Sequence, residues 1–172
     1  MNKSTLTSPH TTTIRHANDV SEHFFTTGLR LDRTLESSIN ECLAFAEQYN
    51  ALVAKMHVFY PSKRREEAKA LSSQKTLPIL WTESSDNDEG PGGVFLHAVA
   101  GSSVQPILDG DRTVGAVYAD ASARYCLLSG IFSEADSVGQ QTEEVFERLE
   151  SILAANGFAY TDVTRTWFYN RD

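Results

Sequence analysis

Two cysteines in 172 residues are too few for a disulfide framework. Cys42, in "ECLAFA", and Cys126, in "RYCLLSG", each sit in an apolar periodic segment. They read as small buried hydrophobes of a reducing compartment, with no His or Lys beside them in sequence to favour a thiolate. No stretch approaches the roughly 18 apolar residues of a membrane helix, and the N-terminus lacks the apolar centre of a secretory signal. A cytoplasmic protein is expected. Positive charge is scarce: 15 Lys and Arg stand against 23 Asp and Glu, for a net charge of −8. That opposes nucleic-acid binding, which rests on basic groups neutralising phosphates. The one dense basic run, Lys63 to Arg65, is followed at once by Glu66 and Glu67 and reads as a solvated helix start. Metal-ligand spacing is missing among His10, His16 and His23. Asp86, Asp88 and Glu89 lie in a Gly/Pro-rich loop without a calcium-type ligand series. No metal or cofactor is expected.

What is present is a clear alternation of strands and helices. "EHFFTTGLRL" reads as a strand ending near Gly28. Leu35, Ile39, Cys42, Leu43, Ala46 and Tyr49 then recur at helical spacing, with Thr34 as N-cap, Ser37 as a weaker alternative, and Asn50 as a left-handed terminator. "ALVAKMHVFYP" is apolar on both faces, which predicts a central strand closed by Pro61. A short polar helix, "SKRREEAKALSSQ", precedes strands "TLPILWTESS" and "GGVFLHAVAG". No helix follows the latter, so its glycines do not make a phosphate loop.

After Gly101 the pattern restarts. "RTVGAVYAD" and "SARYCLLSGIF" read as a hairpin. A helix over 141–155 carries Val145, Phe146, Leu149, Ile152 and Leu153 on one stripe and ends at Asn156-Gly157. "DVTRTWFYN" reads as a closing strand, with Arg165, Trp167 and Tyr169 alternating onto one face. Gly28 corresponds to Gly130, the two amphipathic helices correspond, and "HVFYPS" corresponds to "TWFYNR". The expected organisation is a flexible tail over 1–20, one module over 21–101, and the first half of a second module over 102–172.

Within the second half, Ser129-Gly130, Gln141-Thr142, Asn156-Gly157, Asp162-Val163 and Arg165 occur in order. This run resembles the RidA/YjgF (endoribonuclease L-PSP) family. A divergent module followed by a better-matching one, joined through "HAVAG", is similar to the chorismatase-like branch, which carries two such modules. The resemblance implies an α+β fold of the RidA/YjgF-like, chorismate mutase-like kind: in each module a mixed sheet with helices packed on one face. It implies a homo-oligomer, trimeric or pseudo-trimeric, with a small-molecule ligand, and a chain that continues beyond Asp172.

RidA-type deaminases hold a substrate carboxylate with an arginine and position water with an acid on the next strand. On this chain those positions fall at Leu80, after the matching Pro78, and at His97. Neither carries the required charge, so the deaminase arginine is absent and the catalytic residues are unassigned. His97 could act as a base in place of the acid, or it could be a satisfied sheet residue. Ser129, Gly130, Arg165, Trp167, Tyr169 and His97 form the candidate ligand-binding set. Two functions follow. One is an enzyme acting by hydrolysis or elimination on a small carboxylate-bearing metabolite, chorismate-like or an imine or enamine. The other is a binding or assembly module that kept the fold and lost the charges. Ribonuclease activity fits neither the charge nor the histidine placement.

Overall fold

The structure is a computed structural model describing residues 9–29, 32–73, 76–85 and 92–169. The acidic loop over 86–89, the first eight residues and the last three lie outside the described residues. The protein is a mixed α+β fold in two compact units that divide between Ser129 and Gly130.

The first unit is built on a five-stranded mixed sheet of order β1-β2-β5-β3-β4. Its strands are β1 (His10–Arg15), β2 (Ser21–Gly28), β3 (Leu52–Pro61), β4 (Ile79–Ser85) and β5 (Gly93–Ala100). β5 runs antiparallel to both β2 and β3, while β3 and β4 are parallel. The helical connection after β2 therefore leads to a strand of the same direction that is not its neighbour. The adjacent parallel pair is the one joined through α2 (Arg65–Ser72). β3 lies inside the sheet, as its two apolar faces predict.

Both helices of this unit cover one face. α1 (Leu35–Gln48) buries Leu35, Ile39, Cys42, Phe45 and Ala46 against Phe25, Met56, Val58, Val94, Leu96 and Ala98, and α2 adds Ala68. Burying one such large side chain stabilises by about 1.5–3 kcal/mol. Thr34 caps α1 by accepting from the Ser37 amide, and Asn50 takes φ +49 beyond the helix end. A second cap comes from α2, where the Glu67 carboxylate accepts from the Leu35 amide. The first-turn amides of α1 are thus met by two separate side chains.

A three-stranded antiparallel sheet completes the first unit: β6 (Gln105–Asp109), β7 (Arg112–Ala119) and β8 (Arg124–Leu128), in order β6-β7-β8. Val20, Ala54, Val99, Ala116 and Tyr118 form its core against the helix-free face of the larger sheet. β7 leaves no room for a side chain at Gly115, where a Cβ would stand 2.1 Å from the Leu127 carbonyl oxygen.

The second unit holds α3 (Val138–Ala155), capped by Ser137, and a 3-10 turn at Tyr160–Asp162. Ile152 and Leu153 are its buried helix residues. Phe146 of α3 packs its ring near Tyr160 and Phe168.

The structure departs from the sequence reading at four places. The tail over 1–20 contains a strand, β1, paired residue for residue with β2 from His10↔Thr26 to Arg15↔Ser21. β1 reads as tail because its Thr-rich residues are all exposed at a sheet edge, so no apolar alternation marks it. β6 is also additional; Gly110, at φ +63 in its tight turn to β7, is the hairpin signal that marks it. The closing strand is not a strand, for residues 163–169 form no ladder. Its β-branched and aromatic composition meets no partner strand among the described residues of its unit, and propensity alone does not satisfy a backbone. The unit division at Ser129/Gly130 also groups β6–β8 with the preceding strands, whereas the repeat places them with α3.

Candidate functional site: the helix-free face of the five-stranded sheet

Strand alternation decides which residues reach this face. Phe25 of β2, Met56 and Val58 of β3, Ile79 and Trp81 of β4, and Leu96 and Ala98 of β5 point to the helices. Their neighbours point the other way: Glu22 and Phe24, Lys55 and His57, Leu80 and Thr82, Phe95 and His97. Across the strands Phe24 pairs with His97, His97 with Lys55, and His57 with Leu80. A register shift between Val53 and Lys55 inserts Ala54 as an extra residue and keeps Lys55 on this face.

The face carries buried charge. His97 Nε2 stands 2.6 Å from Glu22 Oε2, with both side chains about nine-tenths covered. That approach lacks hydrogen-bond alignment. His97 also stacks on Phe24 at 4.4 Å between ring centroids. The other Glu22 oxygen, Oε1, lies 2.6 Å from His16 Nε2. The contact with His97, reinforced by His16 and Tyr118 and opposed by burial, holds the Glu22 carboxyl below its ordinary range. Burial pushes the Tyr118 hydroxyl up, and the neighbouring Glu22 pushes it further.

Lys55 is half-buried, and loss of water lowers its pKa. Two residues along, burial and the Lys55 charge bring the His57 imidazole down to about 4. His57 Nε2 meets the Thr82 hydroxyl at 2.8 Å. The row thus places a desolvated cation, a neutral imidazole and a carboxylate-bound imidazole among Phe24, Phe59 and Phe95.

His97 is therefore on this face, but engaged rather than isolated. Leu80, where the RidA resemblance puts an arginine, is on the same face. The cation that is present, Lys55, was missed by sequence reasoning, although its signal was visible as the one charge inside "ALVAKMHVFYP". Glu22 was missed because its partner His97 is remote in sequence.

The remaining candidates divide between the two units. Ser129, buried at the end of β8, donates from its hydroxyl to the Pro78 carbonyl at 3.3 Å and from its amide to Val114 O at 2.7 Å. Gly130 adopts φ +68, a left-handed conformation that favours glycine. In the second unit, the Arg165 guanidinium sits 5.1 Å from the Trp167 ring centroid. Trp167 and Tyr169 are exposed. Arg165, Trp167 and Tyr169 do not alternate on a strand, since their segment is irregular. Burial raises the thiols of Cys42 to about 12 and Cys126 to about 11, so neither supplies a nucleophile near neutrality. Among the described residues no cluster of His, Cys, Asp and Glu has metal-holding geometry, and no helix is long and apolar enough to cross a membrane.

No family model, curated protein or solved structure matches this chain.

Proposed function

We propose that the chain is a RidA/YjgF-like protein of the tandem, chorismatase-like kind that binds or transforms a small carboxylate-bearing metabolite on the helix-free face of its five-stranded sheet. The observation that carries this reading is Lys55, a half-buried cation paired across the ladder with His97. On this reading it takes the place of the arginine that Leu80 replaces. An ammonium is a point charge without the planar fork of a guanidinium, so it attracts a carboxylate with less directional selectivity. The strand order and the two helices on one face are compatible with such a module.

Binding without turnover is favoured by one specific feature. His97 is held by Glu22 and covered by Phe24, which leaves its imidazole poorly placed to take a substrate proton. Transformation by hydrolysis or elimination requires His97 to exchange Glu22 for the substrate.

Calorimetric titration of the protein with chorismate and with small 2-oxo and 2-imino acids tests the reading. Binding of at least one carboxylate is expected, with Lys55→Met weakening it about tenfold or more, as loss of a charge-assisted contact does. Equal affinity in wild type and Lys55→Met removes the proposed face. Absorbance assays with the same compounds separate turnover from binding.

A further inference from the structure

His16 lies in the connection between β1 and β2, fixed by its own amide, which donates to Val20 O at 2.8 Å. Its ring touches a carboxylate on each side. Nε2 is 2.6 Å from Glu22 Oε1, and Nδ1 is 3.1 Å from Asp120 Oδ2. Glu22 belongs to the five-stranded sheet. Asp120 belongs to the turn between β7 and β8 of the three-stranded sheet. A single imidazole therefore spans the two sheets of the first unit.

A neutral imidazole has one N–H and one lone pair, and only the imidazolium donates from both nitrogens. The carboxylates have no proton to offer in exchange. Asp120 Oδ1 already accepts the amides of Ser122 at 2.6 Å and Ala123 at 2.8 Å, and Oδ2 accepts the Tyr125 hydroxyl at 3.0 Å. Glu22 Oε2 faces His97, and Tyr118 also helps to hold the Glu22 carboxyl low. A neutral His16 that donates to Glu22 would bring an unprotonated Nδ1 within 3.1 Å of an anionic oxygen, a contact of charge and not an aligned hydrogen bond.

We propose that His16 is a proton-dependent latch: doubly protonated it ties the β7–β8 turn to β2, and loss of one ring proton releases one of the two contacts. The groups that face this joint are Glu22 from β2, His97 from β5, Tyr118 from β7, Asp120 from the turn and Tyr125 from β8. Lys55 of β3 stands opposite His97, and Arg15 and Asp19 flank His16 in the chain. Backbone donors hold the Asp120 carboxyl low, and His97 does so for Glu22, so both carboxyls favour the anionic form. The latch is closed at lower pH, until the carboxylates themselves protonate, and opens as pH rises.

Nitrogen-15 NMR of the His16 ring in the whole protein, from about pH 5 to about pH 8, reads its protonation directly over the span in which histidines change charge. Both ring nitrogens should be protonated at the acidic end. Loss of one proton should coincide with a change in the near-ultraviolet circular dichroism of Tyr118 and Tyr125. Asp120→Asn supplies an amide donor to a neutral ring, so it should abolish the tyrosine change while His16 still titrates. A neutral His16 across the whole range overturns the proposal. So does an unaltered tyrosine change in Asp120→Asn. The wild-type ring spectrum decides by itself if the variant does not fold.

Discussion

His57 shows how much one buried side chain can tie stability to pH. An imidazole in an unfolded chain titrates near about 6.5, and the folded one only at about 4. The folded state thus prefers the neutral ring. That contribution is complete above about pH 6.5 and is lost as pH falls toward 4, because the unfolded chain takes the proton first. His57→Gln keeps a partner for Thr82 and cannot become charged. Its thermal stability should fall less than that of wild type between those two pH values. Parallel acid profiles for the two proteins would show that His57 does not set this limb. The site was only partly legible at this scale. His97 stood out as a polar residue in an apolar strand. Its carboxylate did not, because Glu22 follows an exposed edge strand and pairs with His97 only after β5 has entered the sheet. No local pattern signals such a pair.

Elements were legible where one face of a periodic segment is buried. The spacing of Leu35, Ile39, Cys42 and Ala46 marks α1, and all four are buried in its core. Thr34 is the expected cap. Phe45 and Glu67 are additions from tertiary context: the first fills the core beside Phe25 at 4.4 Å, and the second arrives from another helix. β1 and the closing segment fail in opposite directions. Thr-rich β1 becomes a strand because β2 offers it an edge, while residues 163–169 have strand composition but form no ladder among the described residues. The double capping of α1 gives an element-scale test. Thr34→Ala should cost about 1 kcal/mol, within the usual range for a lost N-cap. Glu67→Ala should cost a similar amount or more, since its acceptor carries a charge. Hydrogen exchange at Leu35 and Ser37 should accelerate respectively in Glu67→Ala and Thr34→Ala. If each variant speeds both amides equally, the two caps do not act on separate donors.

For the whole molecule, the division after Ser129 falls before an irregular stretch over 131–137, in which Glu134 is exposed. Brief digestion with a glutamate-specific protease should cut there. The product carrying both sheets, α1 and α2 should keep a cooperative melt, because its hydrophobic clusters lie entirely before Gly130. Loss of that melt on cleavage would show that the second unit is needed to hold the first. The exposed aromatics Trp167, Phe168 and Tyr169 belong to the second unit, so the same product should also be the less prone to aggregate.

The strand order has a consequence in time. β5 is the last strand of its sheet to be synthesised, and it is inserted between β2 and β3, the pair it must separate and join. While a ribosome is making β3 and β4, the central slot stands empty, and two rows of backbone donors and acceptors wait beside it. Sheet closure depends on a loop of long sequence separation, which slows folding relative to a local hairpin. Until Ala100 has emerged, any extended peptide of matching pattern can compete for that slot, so the unfinished chain is the form of this protein that most needs shielding.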